Sequence, residues 1–185
     1  MRKCENCSKL DGKDCAAGFS PIISKWTGAI LRPSRCKKKY KTTKRQYALT
    51  WKKALAKLDD EFQMYIRWRD GWTCKTCGKS VDPNNPNAKA TIHAGHYISR
   101  KYLALRHDEK NCHAQCSGCN CAQNYDGIDP RYTAYVIGKY GADILDYFDN
   151  NKHSLLKLSA VELEEKAEYF KKKREELEAK WKELN

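Results

Sequence analysis

The sequence lacks the long apolar runs that membrane proteins need. Mean hydropathy is −0.86, and no apolar stretch approaches the roughly 18 residues of a membrane-spanning helix. The N-terminal MRKCENCSKL has no apolar segment of the kind that directs export. At 185 residues the chain is also too short for a large multidomain enzyme. We therefore expect a chain that stays in the cytoplasm and does not bind membranes.

Acidic residues are scarce in the first 58 positions, where 3 acids face 16 basic residues. Beyond residue 58 the two signs balance at 20 each, so the whole formal charge of +13 lies in the N-terminal part. Such a surplus is typical of proteins that bind nucleic acid. The alternative is a solvated arm that only aids solubility. The candidate phosphate contacts in its densest stretch are Arg32, Arg35, Lys37, Lys38, Lys39, Lys41, Lys44 and Arg45.

Ten cysteines in a reducing compartment favour metal binding over disulfides. Two CxxC pairs stand in the middle of the chain, and four thiolates at this spacing suit a tetrahedral structural zinc. These predicted ligands are Cys74, Cys77, Cys116 and Cys119. A second zinc is predicted at the N-terminus, where the ligands would be Cys4, Cys7, Cys15 and Cys36. The two remaining cysteines, Cys112 and Cys121, are expected to be small buried packing residues.

Hydrophobic periodicity indicates a mostly helical α+β protein. Apolar residues recur at helical spacing between residues 46 and 69, and alternation over 90–98 predicts a strand. Asp129 followed by Pro130 predicts a helix start. We expect a Cys-rich module over 1–45, a connecting helix over 46–70, a zinc-stapled finger over 71–128 and C-terminal helices over 129–185.

The last helix is predicted to begin at the capping box formed by Ser159 and Glu162. Downstream, apolar residues follow a heptad pattern, interrupted by Arg174. This stripe is either the seam of a homodimer or a face that packs on its own chain.

Polar residues that suit phosphodiester hydrolysis surround the central cysteines. His93 and His96 lie on opposite faces of the predicted strand, and Asn120 opens a helix after the last cysteine. A neutral imidazole can deprotonate water, while Mg²⁺ or Mn²⁺ neutralises charge on the phosphate. We expect His96 to be the base. The alternative for either histidine is a satisfied structural role.

The order of these residues resembles the HNH, or His-Me finger, nucleases. CxxC, then His96, then Asn111 five residues before the second CxxC, then Asn120 matches their motif. The resemblance implies a ββα-metal finger in which His96 is the general base, Asn111 supports its loop and Asn120 binds the catalytic metal. The CxxCN form is similar to that of the phage endonuclease VII junction resolvases.

A closer resemblance is to the NinG (Rap) recombination proteins of lambdoid phages. It implies a structure-specific endonuclease that acts on Holliday junctions, D-loops and other recombination intermediates in the bacterial host cytoplasm. Cleaving both arms of a junction favours a homodimer. The matching segments are an N-terminal cysteine cluster, a basic stretch, residues 65–70 (YIRWRD) before CxxCG, 94–97 (AGHY), Leu105 with Arg106, and 111–116 (NCHAQC) with Cys119 and Asn120.

One position departs from the HNH pattern, in which a carboxylate often precedes the base. Gly95 stands there and has no ligand to offer, so we expect His93, two residues earlier, to supply it. Arg100, Lys101 and Arg106 are expected to contact phosphates. The competing hypothesis is a zinc-stapled DNA- or RNA-binding recombination mediator that does not cut.

Deleting residues 1–45 should weaken DNA binding and flatten its dependence on salt, because fewer counterions are released per protein bound. Binding measured across a salt series tests this. An unchanged slope would show that the N-terminal arm does not lie at the phosphates.

Overall fold

The computed structural model describes residues 44–184, with side chains from residue 50, and four two-residue strands before them. These strands are β1 (Leu10–Asp11), β2 (Asp14–Cys15), β3 (Ile22–Ile23) and β4 (Ile30–Leu31). β1 pairs with β2, and β3 with β4, both antiparallel. The predicted second zinc site and the residues of the basic arm lie outside the described side chains. The residues concerned are Cys4, Cys7, Cys15, Cys36, Arg32, Arg35, Lys37, Lys38, Lys39, Lys41, Lys44 and Arg45.

The rest of the described chain is mostly helical, as expected, with one five-residue antiparallel hairpin. Its elements are α1 (Lys44–Arg69), α2 (Ala88–Thr91), β5 (Ile92–His96), α3 (Leu103–Arg106), β6 (Cys112–Cys116), α4 (Ser117–Asp126), α5 (Pro130–Tyr140), α6 (Ile144–Asn151) and α7 (Ala160–Leu184). None of the helices described combines the length and apolar composition that crossing a membrane requires.

The chain divides into two compact units whose limits differ from the expected boundaries at residues 70 and 128. The first consists of Met1–Leu58 and Leu158–Tyr169, and the second of Asp59–Lys157 and Phe170–Asn185. Within the first unit, the Trp51 indole N–H donates to the carbonyl of Leu158 at 2.9 Å. The hairpin and all the central cysteines belong to the second unit.

Helix α1 contains the predicted apolar stripe and ends at Arg69, directly before Asp70 and Gly71. Phe62, Tyr65 and Ile66 are buried along it. Gly71 and Trp72 then take positive φ angles of 64° and 51°, and the Trp72 N–H donates to the carbonyl of Arg67 at 2.9 Å. A left-handed residue at this place stops an α-helix and returns the chain across its end. The first CxxC pair follows directly.

Strands β5 and β6 pair over their full length, with His93 opposite Gln115 and Gly95 opposite His113. A two-stranded hairpin is marginal by itself because its outer edges leave backbone groups unpaired. The end of α1 satisfies them: Arg67 donates to the Ile92 carbonyl at 2.7 Å, and Arg69 to the Cys112 carbonyl at 2.8 Å.

Asp70 completes this connection through a buried carboxylate. One oxygen accepts the Ala114 N–H at 2.8 Å, and both oxygens bind the Arg69 guanidinium at 2.9 Å. Burial by itself raises the pKa of Asp70, but Arg69 and the Ala114 N–H outweigh it and leave the pKa below its usual value. The carboxylate is therefore charged at neutral pH and holds the middle of β6 against the end of α1.

Two apolar clusters flank the hairpin. Trp72, Ile92 and Ala114 lie in one, together with the buried cysteines of the central group. Tyr132, Val136 and Phe148, from α5 and α6, lie in the other. The Tyr132 hydroxyl donates to the Gly95 carbonyl at 3.0 Å, which joins the second cluster to β5.

The helix caps follow the sequence predictions, whereas one packing prediction needs correction. Asp129 accepts the Arg131 N–H at 2.8 Å to begin α5, and Ser159 and Glu162 exchange both bonds of the capping box. Cys112 is fully buried, as expected, but Cys121 is exposed because it lies on the outer side of α4.

The heptad stripe of α7 packs on its own chain in the second unit. Phe170 contacts the rings of Phe62 and Tyr65, with centroids 4.8 and 5.3 Å apart, and Trp181 contacts Trp68 at 5.9 Å. A residue covered in this way offers no seam to a second copy. The buried part of the stripe is thus unavailable to a second copy, whereas Leu184 at its end is exposed. The homodimer stays a prediction.

Replacing Asp70 with Asn should lower the free energy of unfolding by about 3 kcal/mol or more, because Arg69 then stays buried without its counter-charge. Chemical denaturation measures this loss. The same change at Asp149, whose partner Lys152 is at the surface, should alter stability little. Equal losses in the two variants would contradict the role given to the Asp70 carboxylate.

Candidate metal centre and adjoining cleft

The four central cysteines come together as the spacing predicted. One sulfur atom from each of Cys74, Cys77, Cys116 and Cys119 lies within 4.8 Å of the others. The sulfurs of Cys77 and Cys116 are 3.7 Å apart. Thiolates bound to a tetrahedral zinc at about 2.3 Å are separated by roughly 3.8 Å, so the cluster fits this ion.

Local backbone geometry prepares these thiols for a metal. The N–H of Cys77 points at the sulfur of Cys74, and that of Cys119 at the sulfur of Cys116, both at 3.5 Å. Burial by itself raises the pKa of the Cys74 thiol, but hydrogen bonds from neighbouring N–H groups, including that of Cys116, lower it to about 7. The thiolate, which is the form that binds zinc, is thereby favoured at Cys74. At Cys119, by contrast, burial and then the hydrogen bonds with Cys116 and Cys77 raise the pKa.

The cysteine cluster fixes three elements relative to one another. Cys74 and Cys77 follow the end of α1, Cys116 ends β6, and Cys119 lies in the first turn of α4. A zinc bound by all four would hold α4 at a fixed position beside β5. Residues of β5 and α4 line a cleft of about 730 Å³.

His96 lies at the end of β5 and lines this cleft. Its Nε2 contacts the carbonyl of Arg106 at 2.8 Å. Because a carbonyl can only accept, Nε2 carries the proton in the neutral ring, and Nδ1 keeps the lone pair. Burial lowers the pKa of His96 to about 4, so the ring is neutral at physiological pH and can accept a proton.

Asn111 is fully buried and fixes the loop that orients His96. Its side-chain N–H groups donate to the carbonyls of Ile98 and Leu105, both at 2.9 Å, and its Oδ1 accepts the Ile98 N–H at 2.7 Å. The next carbonyl along the chain after that of Leu105 belongs to Arg106, and this carbonyl accepts the hydrogen bond from His96. Asn111 thus acts on the position of His96 through the backbone.

His93 and Asn120 meet on the wall of the same cleft. Nδ1 of His93 lies 3.2 Å from Nδ2 of Asn120, and Nε2 of His93 contacts the Ala90 carbonyl at 3.1 Å. The second contact requires the proton on Nε2, so Nδ1 again keeps the lone pair. Alternation places His93 and His96 on opposite faces of β5, yet both line one cleft.

Positive charge surrounds the cleft. Arg67, Lys89 and Arg100 line it, and none of its described lining side chains is acidic. Arg67 is buried, and burial lowers its pKa. Neither Arg67 nor Lys89 was assigned a role from the sequence: Arg67 lies within the YIRWRD segment, which flags it, whereas no local signal distinguishes Lys89 from other surface lysines.

Arg106, a predicted phosphate contact, forms an ion pair within the chain. Its guanidinium pairs with Asp59, with Nε donating at 2.8 Å, and Asp59 also contacts His107 at 2.7 Å. Burial by itself raises the pKa of Asp59, but the bonds to His107 and Arg106 lower it to about 2. Arg106 therefore anchors the loop, while Arg100 and Lys101 stay exposed.

Comparison with known proteins gives one match. A family model described as the bacteriophage lambda NinG protein matches residues 24–182, a range that includes the cysteine cluster and the whole cleft. No curated protein and no solved structure is significantly similar to the chain.

Replacing Cys119 with Ser should remove one equivalent of zinc per chain, because three thiolates hold the ion much less tightly than four. Metal analysis of the purified protein measures this. The same substitution at the exposed Cys121, in the same helix, is the matched control and should leave the zinc content unchanged. Equal zinc in both variants and the native protein would show that the central cluster binds none.

Proposed function

The chain belongs to the bacteriophage lambda NinG family, and we propose that it is a metal-dependent endonuclease that cuts branched DNA such as Holliday junctions and D-loops. The observation that carries the proposal is the neutral His96 in a cationic cleft, beside imidazole and amide groups that suit a divalent cation. A site of this composition meets the needs of phosphodiester hydrolysis.

His96 acts as the general base in this proposal. Its Nδ1 takes a proton from the attacking water, while the Arg106 carbonyl holds the ring through Nε2 and stabilises the positive charge that forms. Asn111 is a positioning residue, because it fixes the loop that carries this carbonyl. A low pKa keeps the base neutral but makes it weak, so the water must also be activated from another side.

Asn120 and His93 are the proposed ligands of a catalytic Mg²⁺ or Mn²⁺. An amide oxygen and a neutral imidazole nitrogen are suitable donors for such ions. When bound there, the ion would lower the pKa of the attacking water and neutralise charge on the leaving oxygen. In the structure the Nδ1 lone pair of His93 accepts an N–H of Asn120 at 3.2 Å, so the ion would replace this hydrogen bond when it binds.

The cations of the cleft are the proposed phosphate contacts. Arg100 lies at the exposed rim, and Arg67 lies on the buried side, with Nε bound to the Ile92 carbonyl. Within the described residues Arg67 has no carboxylate partner, so its charge is available to a phosphate in the cleft. Arg67 replaces Arg106 in the set of contacts predicted from the sequence.

The succession of β5, β6 and α4, with cysteines at both ends, supports an HNH-like ββα finger stapled by zinc. The preference for branched DNA rests on the family resemblance. Paired cuts across a junction need two active sites, so a homodimer is part of the proposal.

A second function is favoured by one specific observation. The described lining of the cleft contains no carboxylate, although carboxylates are the usual ligands of a catalytic Mg²⁺. A cleft with cations and no acid also suits a zinc-stapled mediator that binds DNA or RNA without cutting it.

Replacing His96 with Ala should lower the rate of junction cleavage by about 100-fold or more, because the water loses its base. Labelled four-way junction, incubated with intact protein and Mn²⁺ or Mg²⁺, measures the rate, and a gel shift measures binding. The matched control is His153→Ala, an exposed ring that contacts Tyr102 away from the cleft. Equally low cleavage by native protein and the His96 variant, with binding retained, would favour the mediator.

A further inference from the structure

Gln115 has a buried oxygen that the fold leaves without a partner. The residue lies in β6 opposite His93 and is fully buried. Its Nε2 donates to the Thr76 hydroxyl at 2.8 Å, whereas its Oε1 accepts no hydrogen bond from any residue that the structure describes. A buried acceptor left unpaired costs about 1–3 kcal/mol, so such groups are rare in folded proteins unless an ion or water serves them.

The position of this oxygen points to a ligand. Oε1 of Gln115 lies 1.8 Å from the place that a Cβ atom on Gly95 would take, and Oδ1 of Asn120 lies 3.0 Å from the same place. The amide of Gln115 thus fills the space that any side chain on Gly95 would need. Two amide oxygens, from β6 and from α4, converge on one point of β5.

His93 lies next to the Asn120 amide and is a further candidate donor. It is the cross-strand neighbour of Gln115, and its Nδ1 contacts the amide of Asn120 at 3.2 Å. Residues directly opposite each other in an antiparallel pair project from the same face of the sheet. Two oxygens, from Gln115 and Asn120, therefore lie beside the glycine, and the His93 nitrogen lies next to the Asn120 amide.

On the basis of the proposed function, we propose that Gln115 is a ligand of the divalent cation, which it binds together with Asn120 and His93. Carbonyl oxygens suit Mg²⁺ and Mn²⁺, and the imidazole shifts the preference toward Mn²⁺. Gln115 supplies from β6 the donor that Gly95 cannot supply from β5. Sequence reasoning assigned that role to His93 alone, because the register of two strands is not visible in a single sequence.

The ligand set carries no charge, and this sets the expected affinity. Three neutral donors beside Arg67, Lys89 and Arg100 bind a divalent ion weakly, because the cations repel it. A DNA phosphate in the cleft would supply the missing negative charge. The ion and the DNA should therefore bind cooperatively, each raising the affinity for the other.

Paramagnetic broadening detects such weak binding in the intact protein without DNA. Mn²⁺ added to labelled protein should broaden the amide signals of Gly95, Gln115 and Asn120 first and saturably. Gln115→Ala should weaken this binding about tenfold or more. The matched control is Gln63→Ala, which removes the same side chain from another wall of the cleft and should leave Mn²⁺ binding unchanged.

Gln115→Glu keeps the shape of the side chain and tests the same proposal if the alanine variant fails to fold. A carboxylate at the oxygen that contacts the metal should tighten Mn²⁺ binding, because it adds the charge that the site lacks. Broadening unaffected by either substitution, or absent near Gly95 in the native protein, would overturn the proposal and assign the space beside Gly95 to water.

The outcomes separate this inference from the nuclease hypothesis. Junction cleavage by native protein, combined with undiminished Mn²⁺ binding by Gln115→Ala, removes Gln115 from the ligands and leaves the nuclease standing. Mn²⁺ binding that depends on Gln115, in a protein that cuts no junction, keeps the metal site and removes the nuclease.

Discussion

The buried pair of Asp70 and Arg69 is the interaction on which the described architecture depends. It attaches the end of α1 to β6, while Arg67 attaches the same helix to β5. A hairpin of two five-residue strands has too little surface to be stable alone. The end of α1 hydrogen-bonds backbone groups on the outer edges of the hairpin and thereby stabilises it. The hairpin in turn positions every proposed catalytic group.

The second unit separates structural metal chemistry from the chemistry proposed for the cleft. Thiolates gather on one side of the hairpin, where they suit zinc and nothing more reactive. Imidazoles and amides gather beside α4, where soft ligands are absent from the described lining. The cysteines serve the cleft only indirectly, by fixing the helix that carries Asn120.

The sequence predicted those features that residues close together along the chain determine. The stripe of α1, the caps at Asp129 and Ser159 and each CxxC pair are local in the sequence, and each is confirmed, together with the meeting of the two pairs. What the sequence left open concerns partners distant along the chain. A heptad pattern does not reveal that Phe170 covers Phe62, and an arginine beside a loop does not reveal that Asp59, 47 residues earlier, binds it.

The side chain of Gln115 occupies the space that a side chain at residue 95 would need, and this limits the substitutions that the chain can accept. Any side chain added at residue 95 collides with the amide of Gln115 unless that amide is shortened in the same step. Residue 95 therefore cannot gain a side chain while Gln115 is present, whereas residue 115 can change alone. A chain with a donor side chain at residue 95 would need a smaller residue at position 115, so a change from the proposed ligand on β6 to one on β5 requires a paired substitution.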